Sequence, residues 1–167
     1  MLQATGNGST IGYTDQDFLA GDVLVHGPND GSAVLINWTA PTDGTIDLSS
    51  SLWYAHSLVT RSQDIFVTLG GNPLGNTTVA NGDGRSNANT INALGLTVNA
   101  GDVLTFAFSK TSGQQYGSLT GIDAVVDFTA KPQTAPVPEP ASWALMIGGF
   151  ALAGSTLRRR KLAVSFA

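Results

Sequence analysis

The stretch TIDLSSSL, residues 45–52, places Ile46, Leu48 and Leu52 on one face of an extended chain. Polar side chains from Thr45 to Ser51 occupy the other face. Successive side chains of a β-strand point to opposite sides, so a period of two predicts a strand with one buried face. The same alternation recurs in residues 65–69, 94–98, 104–108 and 122–128.

Turn residues separate these runs at the spacing typical of all-β domains. Gly, Asn, Asp and Pro clusters interrupt the apolar runs roughly every eight to twelve residues, and no amphipathic helix precedes Ala141. We expect an all-β protein, an antiparallel β-sandwich of seven or eight strands with jelly-roll-like connections. Within the Gly- and Asn-rich residues 70–89 we expect a single short strand, near residues 77–79.

The chain divides by composition into five parts. Residues 1–21 form an N-terminal segment, either a first strand or partly disordered, and residues 22–129 form the β-sandwich. Residues 130–140 are a Pro-rich linker, residues 141–161 a hydrophobic helix with a cationic end, and residues 162–167 a short tail. The first residues show no basic n-region or apolar h-region, so we expect a late-started chain or another export route.

Charge excludes one class of partner. Residues 1–135 contain eleven Asp and four cations, Arg61, Arg85, Lys110 and Lys131. An acidic domain repels phosphate backbones, so nucleic acid is not expected as a partner. The chain has no cysteine, which excludes disulfides, thiolate metal sites and a cysteine nucleophile.

The C-terminal region combines three features in a fixed order. Val137-Pro138-Glu139-Pro140 is followed by an uncharged run at residues 143–157, and then by the cluster Arg158, Arg159, Arg160 and Lys161. An apolar run that begins at Trp143 and ends at cations is typical of a transmembrane helix with its positive end in the cytoplasm. The extended Pro-Glu-Pro segment then lies on the outer side, as a protease site requires.

These residues resemble the PEP-CTERM sorting signal of Gram-negative, exopolysaccharide-producing bacteria. The resemblance implies export, transient retention in the inner membrane, and processing near Pro-Glu-Pro by an exosortase. It makes residues 137–140 the sorting and processing motif and residues 158–161 the cytoplasmic anchor. It also implies a final location at the cell surface or outside the cell.

The β-domain is similar to the carbohydrate-binding-module-like jelly rolls of exported proteins. The residues that carry this looser resemblance are LVHGPNDGSAVLINWTAPTDGTIDLSS (24–50), NAGDVLTFAFS (99–109) and TGIDAVVDF (120–128). It implies a β-sandwich, and it does not imply that a ligand site is retained.

Catalytic constellations are poorly supported. His26 and His56, with Ser51 or Ser57, lack the Gly-x-Ser-x-Gly context of a nucleophile. Asp123 and Asp127 fall on one strand face about 13 Å apart by the strand rise, which is too far for a glycosidase pair. We expect both carboxylates on the outward face, and we expect no enzyme.

Two ligand hypotheses remain. Jelly-roll modules often hold a structural calcium ion through oxygen ligands, and the conceivable ligands here are Asp22, Asn29, Asp30 and Asp123; the alternative is that they only form turns. No other cofactor or metal is expected.

If Leu52 and Tyr54 are buried, their neighbour Trp53 is exposed, and an exposed ring can stack on a sugar. Trp53 is therefore the predicted ligand contact. Trp38, Phe106 and Phe108 are expected in the core, and Tyr116 in a loop.

Together these observations predict an exported, non-catalytic protein of the cell surface or extracellular matrix, sorted by its C-terminal signal. The alternative is a carbohydrate-binding module for exopolysaccharide, with or without calcium. A glycoside or ester hydrolase is a third alternative. The structural and the sugar-binding hypotheses differ in one observable. An exposed Trp53 in a shallow groove favours sugar binding, whereas a uniformly polar surface of Ser, Thr and Asn favours a structural role.

Overall fold

The computed structural model describes residues 2–3, 16–56, 59–132 and 140–158. The chain forms two compact units, Met1–Lys131 and Pro132–Ala167. The first contains the strands β1 (Leu2–Gln3), β2 (Val23–His26), β3 (Ala33–Thr39), β4 (Gly44–Tyr54), β5 (Ser62–Leu69), β6 (Asn72–Ala80), β7 (Asn89–Thr90), β8 (Ala93–Val98), β9 (Val103–Lys110) and β10 (Leu119–Ala130). A 3-10 turn, Arg85–Asn87, precedes β7. The second unit contains the helix α1 (Pro140–Arg158).

The strands form two antiparallel sheets, as predicted. One sheet has the order β1-β2-β10-β4-β7, with β8 also paired to β4, and the other has the order β3-β9-β5-β6. Eight of the described strands are four residues or longer, which agrees with the predicted seven or eight. The jelly-roll-like connection pattern stays a prediction.

The core lies between the sheets and follows the alternation in β4. Ile46, Leu48 and Leu52 are buried there, and β10 pairs with β4 from Thr120↔Tyr54 to Ala130↔Gly44. Buried side chains of the second sheet meet them, as expected for apolar faces that alternate with polar ones: Ile65, Val67, Leu104, Phe106 and Phe108. The prediction of Phe106 and Phe108 as core residues is confirmed, and Trp38 is partly buried against the same cluster.

In β8, the prediction that Leu94 faces inward is wrong. Leu94 is 79% exposed, although its partners in the pattern, Leu96 and Val98, turn inward. The pairing of β8 with β4 shifts register between Ile46 and Leu48, and Gly95 there has a φ of +64°. An inserted residue of this kind reverses the face of every side chain before it.

The predicted strand near residues 77–79 is present, but it is longer than predicted. β6 extends over Asn72–Ala80 and forms a hairpin with β5 in which Leu69 faces Asn72. Gly70 and Gly71, with φ of +56° and +82°, form the two-residue connection, because tight hairpin turns need left-handed residues. Pro73 is tolerated because β6 is an edge strand of its sheet.

The C-terminal unit contains the predicted helix. α1 begins at Pro140 and ends at Arg158, close to the predicted start at residue 141. Among the described residues, no helix combines the length and apolarity needed to cross a membrane, so the predicted transmembrane character is not confirmed.

Candidate functional site

Trp53 is the residue on which the sugar-binding hypothesis depends, and the structure buries it. Only 2% of the residue is exposed, so the prediction of an exposed ring is wrong. Its neighbours Leu52 and Tyr54 are buried towards the other sheet, as predicted. Trp53 therefore lies on the outer face of β4, where a second apolar cluster of Phe18, Leu24 and Ala55 covers it.

A glycine provides the space for this ring. Gly121 of β10 lies directly opposite Trp53 in the sheet, and a Cβ atom placed on Gly121 would lie 2.1 Å from Cε2 of Trp53. That distance is far inside van der Waals contact, so only glycine permits the ring to lie flat against β10. Trp53 Nε1 also donates a hydrogen bond of 2.8 Å to the Asp17 carbonyl.

Arg85 also lies against the Trp53 ring. Its Cζ lies 4.1 Å from the centroid of Trp53, and its guanidinium pairs with Asp17 at 3.4 Å and with Asp22. Partial burial of the guanidinium lowers the pKa of Arg85, but the Asp22 and Asp17 carboxylates together outweigh this and leave the pKa raised. We call Trp53, Arg85, Asp17 and Asp22 the arginine clasp; it fastens residues 16–22 to the outer face of β4.

The conceivable calcium ligands are not brought together. Asp22 belongs to the arginine clasp, Asn29 Oδ1 accepts a hydrogen bond from the Gly117 amide at 2.9 Å, and Asp30 caps the turn at Ser32. These Ser32 hydrogen bonds lower the pKa of Asp30. Within the described ranges, no three His, Cys, Asp or Glu side chains form a metal-binding group. Of the four, Asp22 and Asp30 accept local hydrogen bonds of the turn-forming kind, whereas Asp123 lies within β10.

The carboxylates proposed as a glycosidase pair lie where the sequence places them. Asp123 and Asp127 are both exposed along β10, opposite Ser51 and Asp47 of β4. Asp123 lines a shallow polar groove of about 180 Å³ on the outer face of the sheet. We call it the serine groove, and its other lining residues are Ser49, Ser50, Ser51, Thr90, Asn92 and Val125.

The two histidines lie at one end of the sandwich together with Arg61. His26 is exposed at the end of β2, and His56 is partly buried just after β4. His56 Nδ1 is buried without a hydrogen-bond partner in the described part of the chain. Burial lowers the pKa of His56, and the positive charges of Arg61 and His26 lower it further. Ser51 lies on β4 and lines the serine groove, and Ser57 lies outside the described residues.

Sequence reasoning missed the surroundings of Arg61. Its Cζ lies 4.9 Å from the ring centroid of Tyr116, and its Nη1 donates to the Gly117 carbonyl at 3.3 Å. Tyr116 is 44% exposed in the predicted loop. We call Arg61, Tyr116, His26 and His56 the cationic end. Its members come from separate parts of the sequence, so no local motif could have identified them.

An apolar groove opens between β3, β9 and β10. It has a volume of about 310 Å³, and Ile36, Trp38, Leu104, Phe106, Ile122 and Val126 contribute to its lining. Trp38 packs against Phe128 with ring centroids 5.8 Å apart, which accounts for its partial burial.

The predicted sorting residues fall mainly outside the described part of the chain. This applies to Val137, Pro138 and Glu139, and to Arg159, Arg160 and Lys161. Pro140 is the first residue of α1 and Arg158 is the last. Large apolar side chains of α1 are exposed, including Leu145, Ile147, Phe150 and Leu152.

Comparison with known protein families identifies the C-terminal region. Residues 136–161 match the PEP-CTERM protein-sorting motif, and this confirms the recognition of residues 137–161 from the sequence. The motif indicates an exported protein. No curated protein matches the chain.

Solved structures give distant matches. The chain is 13% identical to a ruminal GH26 endo-β-1,4-mannanase, with a TM-score of 0.32, over 71% of this chain and 20% of the mannanase. The C-terminal CBM6 module of LamC, a marine laminarinase from Zobellia galactanivorans, is 17% identical with a TM-score of 0.32, over 60% of this chain and 86% of the module. The carbohydrate-binding module CBM36, solved with calcium and xylotriose, is 12% identical with a TM-score of 0.31, over 67% and 82% of the two chains.

Proposed function

We propose that this chain is a non-catalytic structural protein of the cell surface or extracellular matrix, sorted and processed by an exosortase. The single observation that carries the proposal is the PEP-CTERM match at residues 136–161. The match includes the Pro-Glu-Pro segment, whose last residue begins α1, and the cationic cluster that starts at the last residue of α1.

The sorting unit has the chemistry for transient retention at the inner membrane. The exposed apolar side chains of α1 form a surface that avoids water, and Arg158 and the following cations favour the cytoplasmic side. Cleavage near Pro138–Pro140 separates the β-domain from this unit. The β-domain then reaches the cell surface or the medium.

The surface of the β-domain favours the structural role over sugar binding. The ring of Trp53 is covered on both faces, by Arg85 and by Gly121, so it offers no stacking platform. The groove on the outer face of the sheet is lined by Ser, Thr, Asn and Asp side chains and by Val125. Asp123 and Asp127 are exposed on that face, and their spacing of four residues along one strand is too wide for a glycosidase pair.

The test replaces the two prolines that define the motif. We expect Pro138→Ala/Pro140→Ala to accumulate uncleaved in the membrane fraction, because both prolines belong to the motif that the exosortase is proposed to recognise. Pro132→Ala, which lies before residue 136, is the matched control and should be processed normally. Fractionation and intact-mass measurement of the released domain provide the readout. Normal release of the double variant contradicts the proposal.

A second candidate function is binding of exopolysaccharide in the serine groove. Hydroxyl, amide and carboxylate groups line it beside the half-exposed Val125, which is a combination that can bond sugar hydroxyls. Calorimetry with a neutral gluco-oligosaccharide tests it. Asp123→Ala should abolish saturable binding and Asp127→Ala, exposed on the same strand, should retain it; equal binding by both variants excludes the groove.

A further inference from the structure

Arg61 is held in place by neutral partners. The Gly117 carbonyl accepts a hydrogen bond from Nη1 at 3.3 Å, and the ring of Tyr116 lies against the guanidinium plane. These contacts fix the side chain without neutralising it. Within the described residues, no carboxylate lies within ion-pair distance of Arg61. A fixed guanidinium of this kind keeps Nε and Nη2 available as donors.

The other three cations of the β-domain are placed differently. Arg85 is paired with Asp17 and Asp22. The Lys110 ammonium donates to the Gln114 carbonyl at 2.8 Å, and its charge contributes to the lowered pKa of Asp30. Lys131 is exposed beyond the end of β10. Arg61 is therefore the arginine of the β-domain whose guanidinium is fixed without a carboxylate partner among the described residues.

Both histidines of the chain lie near Arg61. Arg61 and His26 are close enough to His56 for their charges to disfavour its protonation. The region is cationic in a domain whose Asp residues outnumber its Lys and Arg residues by seven. The charge of Arg61 has no counter-ion among the described residues, and an oxyanion placed beside it would supply one.

We propose that the cationic end binds a carboxylate carried by a saccharide, such as the uronate units of an acidic polysaccharide. A carboxylate fits the planar donor set of arginine in a bidentate manner. The half-exposed ring of Tyr116 beside it provides a flat apolar surface on which the sugar ring stacks. Arg61 recognises the carboxylate and Tyr116 recognises the apolar face of the sugar. Together they select a charged sugar over a neutral one. The site is separate from the serine groove and does not depend on the sorting function.

The experiment is calorimetric titration of the full chain, kept in mild detergent, with oligogalacturonate and with a neutral galacto-oligosaccharide of equal length. We expect saturable binding of oligogalacturonate alone. Arg61→Gln should weaken it about tenfold or more, because it removes charge-assisted hydrogen bonds. Lys131→Gln, an equal change of charge at an exposed position, should leave it unchanged. Tyr116→Ala keeps every charge and should also weaken binding.

The outcomes separate specific recognition from general attraction. Equal weakening by Arg61→Gln and Lys131→Gln, or equal binding of the charged and neutral oligosaccharides, overturns the proposal. Thermal melting of each variant checks that Arg61→Gln is folded, and Tyr116→Ala provides an independent test if it is not. Competition by sulfated dextran or inorganic phosphate, set against oligogalacturonate, shows whether the carboxylate is preferred; stronger binding of either competitor contradicts the assignment. Asp123→Ala, which tests the serine groove, should not change this binding, so the two hypotheses fail separately.

Discussion

The two arginines of the β-domain that lie on aromatic rings have opposite electrostatic surroundings. Arg85 lies 4.1 Å from the centroid of the buried Trp53 and pairs with two carboxylates. Arg61 lies 4.9 Å from the centroid of the half-exposed Tyr116 and bonds a carbonyl. The same pair of interactions, cation on ring and hydrogen bond to oxygen, thus occurs once with a counter-ion and once without.

The difference separates a structural contact from a candidate binding site. In the arginine clasp the charge is satisfied internally, and removing any member should reduce stability. At the cationic end the charge is not satisfied internally, and removing it should reduce ligand binding while stability changes little. The predictions below measure how far this distinction holds.

The largest effect is expected at the ring of the arginine clasp. Trp53→Ala should lower the free energy of unfolding by about 3–5 kcal/mol, because it leaves a cavity and removes the bond to the Asp17 carbonyl. Urea denaturation measures this loss. Trp38→Ala, at a partly buried ring, is the control and should cost less. A Trp53→Ala protein as stable as the wild type would show that the clasp does not fasten residues 16–22.

The next effect is that of the guanidinium itself. Arg85→Gln should cost on the order of 1–2 kcal/mol, since it removes the cation on the Trp53 ring and two partly solvated ion pairs. Equilibrium unfolding at low and high salt measures the loss, which should shrink as salt screens the pairs. Lys131→Gln serves as the charge-matched control. If Arg85→Gln loses less stability than Lys131→Gln, Arg85 is not the structural contact that the comparison assumes.

The period of two predicted most of the sandwich because burial in a sheet is a local property of alternate residues. It located β4, β9 and most of β10 and their inward side chains. It failed at β8, where a bulge at Gly95 reverses Leu94. It also predicted β6 too short, although Gly70-Gly71 is a recognisable hairpin turn and could have been used.

The site was less predictable because its contacts join distant residues. Alternation correctly turned Trp53 away from Leu52, but it could not show that Phe18 and Arg85 cover the outer face of β4. Gly121 in the middle of β10 was a usable signal, since a glycine within a strand often marks a close approach. By contrast, the sorting motif could be recognised from the sequence, because its residues are contiguous.

A smaller effect is expected from pH at the cationic end. Burial and the charges of Arg61 and His26 lower the pKa of His56 below its ordinary 6.5, so the unfolded chain takes up this proton first. The stability contributed by neutral His56 is therefore present above pH 6.5 and decreases as the pH falls towards the folded pKa. His56→Gln should flatten this part of the stability profile, measured by urea unfolding between about pH 7 and 5. His26→Gln, at an exposed position, should alter it less, and an unchanged slope in His56→Gln would contradict the assignment.

The smallest effect on stability is expected at Arg61, and it decides the comparison. Arg61→Gln should cost less than about 1 kcal/mol, because it removes one hydrogen bond and one half-exposed ring contact and no ion pair. Unfolding of Arg61→Gln and Arg85→Gln in the same buffer measures both costs. If Arg61→Gln costs as much as Arg85→Gln, its guanidinium is a structural contact like the other; if it costs little and oligogalacturonate binding is lost, Arg61 is retained for a ligand.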